Sequence, residues 1–285
     1  MKKLPDISLV NGKLESSVPV TDRGLHYGDG LFETILCLDQ QLILRAPHLA
    51  RLWRDAVRLK ITIDITALEK ELAQLQAMMA ALGKDAGVVK IIVTRESSGR
   101  GYSTGGCGGS NRLLQFTSGI QYPKANRDGI RMALSDLKLA QQPALAGIKH
   151  LNRLEQVLAH SAIPKPFYQE ALLCDSQQRV IEGTISNVFF VKDGKLVTPG
   201  LDQAGVRGVM RDHIMDAIAP PLKIMTSEAR VTLADVLAAD EVFVCNSVFG
   251  VWPVQALHVR EYAIGTVTRR VQHAVDALGF PSVHA

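Results

Sequence analysis

The stretch AGIKHLNRLEQVLAHSA, from Ala146 to Ala162, places one lysine, Lys149, between Ile148 and His150 just ahead of a helical pattern. Desolvation or a nearby cation lowers the pKa of such an amine, and the neutral amine can then attack a carbonyl to form a Schiff base. An isolated lysine is far more often a solvated charge. VIEGTISNVFFV offers Glu182 in a Glu-Gly-Thr turn ahead of a strand. That carboxylate is either solvated or aimed at a ring nitrogen, which it would keep protonated. Asn187 opens the strand and is placed to fix the turn. LDQAGVRGVMRDHI brackets a helix start with Gly205 and Gly208, and unpaired N–H groups at a helix start bind phosphate. EVFVCNSVFGVWPV ends a strand in Cys-Asn-Ser, where Ser247 offers a hydroxyl and an N–H to an anion or simply caps a turn. Arg51, in HLARL, lies off the apolar stripe of its helix, either in solvent or with its planar fork on a phosphate. DRGLHYGDGLFETI sets Gly28 and Gly30 around Asp29, which permits close backbone approach beside a strand. Each signal is weak by itself.

The elements that must position these residues follow from hydrophobic period. ISLVNGKLESS, with Asn-Gly at its centre, reads as a hairpin, and ETILCLDQQLILR as a second one. In HLARLWRDAVRLK the residues Leu49, Leu52, Trp53, Ala56 and Val57 recur at helical spacing and predict an amphipathic helix. TALEKELAQLQAMMAALG predicts another, with Thr66 as N-cap and Gly83 as its stop. VVKIIVTR and RLLQFTS read as strands. The glycine-rich loop SSGRGYSTGGCGGS joins them, either as a lid over bound substrate or as a surface connection. The pattern resets near residue 120. Beyond it, strands at EALLCD, NVFFV and EVFVC mix with helices at LNRLEQVLAHSA, GVMRDHIMDAIA, TLADVLAA and TVTRRVQHAVDAL. The stripe of the first of these helices is Leu151, Leu154, Val157, Leu158 and Ala162. The fold class is therefore α/β (α+β) in two domains, residues 1–118 and 119–285.

Bulk properties exclude several classes. A hydrophobic content of 47% supports a sizeable core, and a net charge of +4 without runs of like charge gives no reason to expect nucleic acid. Four scattered cysteines without a C-x-x-C pair read as reduced thiols of a cytoplasmic protein, not as a disulfide framework or a zinc site. The start MKKLPDISLVNGKLESS has no apolar core of a signal peptide, and no run reaches the length of a membrane span.

In order and spacing, DRGLHYGDGLFET, HLARL, GRGYST, GIKHLNRLEQVLA, EGTISNVF, LDQAGVRGVMRD and ADEVFVCNSVFGVWPV together resemble the fold-type IV pyridoxal-phosphate enzymes. That group holds branched-chain aminotransferases, D-amino acid transaminases and aminodeoxychorismate lyases. GRGYST and LAGIKHLNRLEQVL are most similar to the lyases. The resemblance covers nearly the whole chain and implies a small N-terminal domain, a larger C-terminal one, pyridoxal 5'-phosphate between them, and a homodimer. It implies that Lys149 holds the cofactor as a Schiff base and then moves protons, and that Glu182 pairs with the pyridine nitrogen. Arg51, the N–H groups of Val209 and Met210, and Ser247 would bind the phosphate. Arg153 stands where some transaminases of the group carry tyrosine. It is assigned, with Arg100, to the carboxylates of the substrate. His26, Phe32 and Asn246 would lie near the substrate, and Thr34 would give a proton to the departing group.

The activity implied is conversion of 4-amino-4-deoxychorismate to 4-aminobenzoate and pyruvate, with Lys149 as base. A transaminase of D-amino or branched-chain amino acids shares the cofactor residues and differs in needing a second keto acid. A binding module that kept the fold without its chemistry is the reading from another class. The presence of both Lys149 and Glu182 speaks against it.

Overall fold

The computed structural model describes residues 5–97 and 101–280. The chain divides into two compact units, one of Met1–Ile120 with Lys149–Asn152, the other of Gln121–Ile148 with Arg153–Ala285.

The first unit is a six-stranded antiparallel sheet. Its strands are β1 (Ile7–Val10), β2 (Lys13–Leu14), β3 (Gly30–Leu38), β4 (Gln41–Leu42), β5 (Gly87–Arg95) and β6 (Ser110–Ser118), in the order β2-β1-β6-β5-β3-β4. Both predicted hairpins form. Asn11 and Gly12 turn the first with positive φ at both positions, and Asp39 and Gln40 do the same for the second without glycine. Helices α1 (Arg23–Tyr27), α2 (Arg45–Leu59) and α3 (Ile65–Ala81) complete the unit. Helix α3 is capped by Asp64, whose Oδ1 accepts from Ala67 N at 2.9 Å, two residues before the expected Thr66. Asp64 offers a short carboxylate with extended backbone, the geometry an N-cap needs.

One sheet face is fully buried. It carries Leu31, Glu33 and Ile35 of β3, Val89, Ile91 and Val93 of β5, and Leu114 and Phe116 of β6. The other is half-buried, with Phe32 and Thr34 on β3, Lys90 and Ile92 on β5, and Leu113 and Gln115 on β6. Helix α2 packs on β3 with a face different from the expected one. Trp53 is 46% and Val57 60% exposed, while His48, Arg51 and Asp55 are buried beside Leu52 and Ala56. Apolar spacing alone misplaced that face because the buried Glu33 needs polar partners from the helix above it.

The second unit holds α4 (Ala125–Asp128), β7 (Ile130–Leu139), α5 (Leu154–Ser161), β8 (Glu170–Asp175), β9 (Val180–Gly183), β10 (Asn187–Lys192) and β11 (Lys195–Pro199). It continues with α6 (Val209–His213), widening to a π-turn over Ile214–Ile218, then β12 (Thr226–Ala229), α7 (Leu233–Leu237), β13 (Glu241–Asn246), β14 (Gly250–Leu257), β15 (Arg260–Glu261) and α8 (Thr266–Asp276). The sheet runs β12-β11-β10-β13-β14-β7-β8-β9, with β15 on β14. Phe249 stacks on Trp252 in its core at 3.7 Å between centroids. The apolar stripe of α5 is exposed rather than buried: Leu154 is 76%, Val157 55% and Leu158 61% accessible. Among the described residues no helix is long and apolar enough to cross a membrane, and no cluster of three potential metal ligands occurs.

Candidate functional site

The segment that bears Lys149 is laid antiparallel against the start of β3. Phe32 N donates to Lys149 O at 3.1 Å, Leu151 N to Gly30 O at 3.0 Å, and His150 bridges to Leu31. Asn152 Nδ2 donates to Gly28 O at 3.1 Å. The Gly-Asp-Gly motif allows this approach. A Cβ on Gly30 would stand 2.4 Å from Val93 O and 2.7 Å from Leu151 Cδ1, and one on Gly28 2.6 Å from Asn152 Oδ1. The backbone N–H of Lys149 donates to Oδ2 of the buried Asp55 at 3.1 Å. Both backbone groups of Lys149 are thus fixed, and its ammonium lies 4.3 Å from the centroid of Phe32, a cation–π contact on the half-buried sheet face.

Behind that face sits a buried polar triad. Arg51 Nε donates to Glu33 Oε1 at 2.8 Å and Nη2 to Oε2 at 2.5 Å, and His48 Nδ1 lies 2.6 Å from the same Oε2. Burial alone would push the Glu33 carboxyl up. The Arg51 charge and the hydrogen bonds from Arg51 and His48 outweigh it and hold the group at about 2. His48 is pushed below its usual range, chiefly by burial, so it is neutral at pH 7. An ionised Glu33 then requires the proton on Nδ1, and Nε2 is buried without a partner among the described residues. Arg51 is therefore not solvent-facing. One edge of its guanidinium is set by Glu33.

Just ahead of β3, Arg23 Nε and Arg95 Nε both bind Asp29 Oδ2, at 2.8 and 2.9 Å. Arg23 Nη1 reaches Gly101 O at 3.0 Å and Nη2 reaches Tyr102 O at 3.4 Å, tying the glycine-rich loop to α1. Arg100 lies outside the described residues. Among the expected substrate residues of this unit, Phe32 and Thr34 share the face under Lys149. His26 is exposed on α1 against the edge of Tyr27.

In the second unit Glu182 belongs to strand β9 rather than to a turn, paired with Leu173. The turn proper is Thr184–Ser186. The difference comes from Glu170, a buried acid that sequence reading passed over. Its carboxylate accepts from Thr184 N at 2.9 Å, Ile185 N at 3.2 Å and Ser186 Oγ at 2.8 Å, which pulls the turn beyond Gly183. Glu182 Oε2 accepts from Val206 N at 2.8 Å and Oε1 from Gln156 Nε2 at 3.3 Å. Asn187 Nδ2 donates to Val206 O at 2.9 Å, so the carboxylate and the asparagine together clamp the loop that leads into α6. Gly208, the N-cap of α6, has its would-be Cβ 2.0 Å from Asn187 Oδ1. No side chain caps α6, whose first residues are Val209 and Met210, and α6 packs on β13, beyond whose end Ser247 follows.

Arg153 precedes α5, donates to Ile148 O at 3.3 Å, and is desolvated by burial within range of the Glu182 charge. Asn246 is engaged structurally. Its Oδ1 accepts from Val248 N and Phe249 N at 2.9 Å each, and its Nδ2 donates to Ile185 O. A cavity of about 370 Å³ in this unit is lined by Arg207, Arg211 and Glu228 and carries none of the candidate residues; its Arg211 pairs with Glu228 at 3.1 Å.

Sequence reading also missed Glu33, Asp55 and Lys90. The signal for each was present: an ionisable residue inside FETILCL, on the inner side of α2, and in the apolar strand VVKIIVTR.

The family model described as Amino-transferase class IV matches residues 30–257. The aminodeoxychorismate lyase of Vibrio harveyi is 37% identical over 270 residues, covering 92% of this chain and 97% of that one. The D-alanine aminotransferase of Bacillus licheniformis is 29% identical over 277 residues, covering 94% and 95%. The crystal structure of 4-amino-4-deoxychorismate lyase from Pseudomonas aeruginosa superposes with a TM-score of 0.90 at 41% identity, covering 95% of this chain and 98% of that one.

Proposed function

The chain belongs to the class IV aminotransferase family, and on that premise we propose that it is a pyridoxal-phosphate-dependent lyase releasing 4-aminobenzoate and pyruvate from aminodeoxychorismate. The observation that carries the lyase over a transaminase is the identity of 37% and 41%, across nearly the whole chain, to two proteins bearing that name.

The donor set fits pyridoxal phosphate. A buried carboxylate, Glu182, oriented by two N–H donors, suits a protonated ring nitrogen. The uncapped start of α6 at Val209 and Met210 suits a phosphate, with Ser247 beyond β13 as a further donor. Arg51 is retained as the phosphate arginine, its orientation set by Glu33. When bound, the cofactor supplies an aldehyde for an amine and a ring that withdraws electrons from the amine-bearing carbon.

Lys149 is the base. Its backbone is fixed by Asp55 and β3, so its amine moves only through side-chain rotation over Phe32. That amine takes the proton from the amine-bearing carbon of the substrate. Thr34, on the same sheet face as Phe32, gives a proton to the departing enolpyruvyl group, which leaves as pyruvate. The remaining ring becomes aromatic. Arg153 is assigned to a substrate carboxylate. We also propose a homodimer as the working form, supported by the exposed Leu154, Val157 and Leu158 of α5.

The test couples the purified, cofactor-loaded protein to a source of aminodeoxychorismate without any keto acid. Equal amounts of 4-aminobenzoate and pyruvate are expected from the wild type and none from Lys149→Ala. A yellow wild-type protein that releases neither product, yet converts D-alanine with 2-oxoglutarate, would replace the lyase with the transaminase.

A further inference from the structure

Helix α5 meets the end of β9 through two polar side chains set one turn apart. Gln156 Nε2 donates to Glu182 Oε1 at 3.3 Å, and His160 Nδ1 lies 2.8 Å from Thr184 Oγ1, whose hydroxyl donates to Glu170. Residues spaced i and i+4 share a helix face. Glu155 Oε1 accepts from Ala140 N at 2.8 Å, and Ala159 is buried. Gln156 is therefore presented to Glu182 by a helix anchored along its length.

Packing alone would not select this pairing. Gln156 turns its donor to Glu182 and leaves its own Oε1 buried without a partner among the described residues. An unpaired buried acceptor costs more than a neutral hydrogen bond as long as 3.3 Å returns. Methionine, of nearly the same length and shape, would fill the space without that cost. The amide makes sense through its target. Glu182 Oε2 accepts from Val206 N at 2.8 Å, so with Gln156 each oxygen of the carboxylate has an N–H donor. That is the arrangement an ionised carboxylate satisfies and a protonated one contests. One donor on each oxygen fixes the plane of the carboxylate as well as its place. Both donors are neutral, so they orient the group and leave its charge to be met by a cation.

We propose that Gln156 is a positioning residue for the ring nitrogen of pyridoxal phosphate: it holds the Glu182 carboxylate ionised and in one plane, and acts on the cofactor through that carboxylate. This rests on the assignment of Glu182 to the ring nitrogen. The two consequences of removing the amide have opposite signs. The hold on the ring nitrogen weakens, while the buried unpaired oxygen disappears. Cofactor affinity therefore falls and the stability of the cofactor-free protein does not.

The experiment titrates the full-length, cofactor-stripped protein with pyridoxal 5'-phosphate and with its 1-deaza analogue, which has C–H in place of the ring nitrogen. Binding is followed by visible absorbance. The wild type should bind the nitrogen-bearing cofactor at least about tenfold tighter, as a charged hydrogen bond requires. Gln156→Met should weaken pyridoxal phosphate by about three- to tenfold, the range of a hydrogen bond this long, and leave the analogue within about twofold. Without cofactor it should unfold in urea at a concentration no lower than the wild type does. Gln156→Asn keeps the amide but is too short to reach Glu182. It should lose affinity in the same way, and it serves if the methionine protein does not fold. A loss shared equally by both cofactors, or unchanged affinity for both, overturns the proposal; with an earlier unfolding midpoint, either result would make Gln156 a packing residue. A wild type that does not distinguish the two cofactors would remove Glu182 from the ring nitrogen, and the proposal with it.

Discussion

Glu33→Gln should destabilise the first unit strongly and in a pH-dependent way. Glu33 is buried at 1% exposure, with Arg51 and His48 on its two oxygens, and is held at about 2 against an ordinary 4.5. At ~1.4 kcal/mol per pKa unit, the ionised carboxylate contributes ~3 kcal/mol at neutral pH. The folded-state pKa is depressed, so this contribution is complete above about pH 4.5 and is lost as pH falls toward 2. At pH 3, ~1.4 kcal/mol remains. The assay is urea unfolding followed by tryptophan fluorescence in a Trp252→Phe background, where Trp53 reports the first unit. The glutamine variant should lose ~3 kcal/mol at pH 7 and about half that or less at pH 3. Adding Arg51→Met should restore part of the loss, because no unpaired charge is then left buried. A deficit below ~1 kcal/mol at pH 7, or one equal at both pH values, would refute the reasoning.

Asp55→Ala leaves the Lys149 N–H without its acceptor, at about 1–3 kcal/mol. Turnover should fall at least about tenfold with cofactor binding retained, and Asp55→Asn, which keeps an accepting oxygen, should recover most of it; unchanged turnover in the alanine protein would show that the tether is idle. Gly208→Ala sets a methyl 2.0 Å from Asn187 Oδ1. A cofactor titration followed by visible absorbance should show at least about tenfold weaker affinity, since a disturbed clamp costs over ~1.4 kcal/mol, and wild-type affinity would remove α6 from the phosphate assignment. Leu158→Glu places a charge in the exposed stripe of α5. Light scattering after gel filtration should give a dimer for the wild type and a monomer for the variant; a monomeric wild type would end the dimer proposal.

Apolar period and turn chemistry made most elements legible before any coordinates. The Asn11–Gly12 hairpin, the α3 stop at Gly83 and strands β5, β8, β10 and β13 follow from local preference, which tertiary packing did not override. What stayed hidden was long-range polar pairing. Nothing near Arg51 in the sequence announces that Glu33, eighteen positions earlier, will turn α2 so that Trp53 faces out. Likewise Glu170 decides where the turn after Glu182 begins from fourteen residues away. The Gly-Asp-Gly motif was legible as a place of close approach, but its occupant, the Lys149 segment, is over a hundred positions distant and no local pattern pairs them.

The segment that bears Lys149 has a consequence for biogenesis. The first unit takes Lys149–Asn152 from a part of the chain made after its own last contiguous residue, Ile120. At ribosomal speeds of about 5–20 residues per second, the nascent sheet waits about two to six seconds for that segment. During that interval the N–H of Phe32 and the carbonyl of Gly30 lack their Lys149 and Leu151 partners, and Lys149 has not yet been made. A fragment ending at residue 120 would reproduce the order of synthesis. It would hold the six strands and Asp55 but lack Lys149, and a peptide spanning residues 146–155 would supply it in trans.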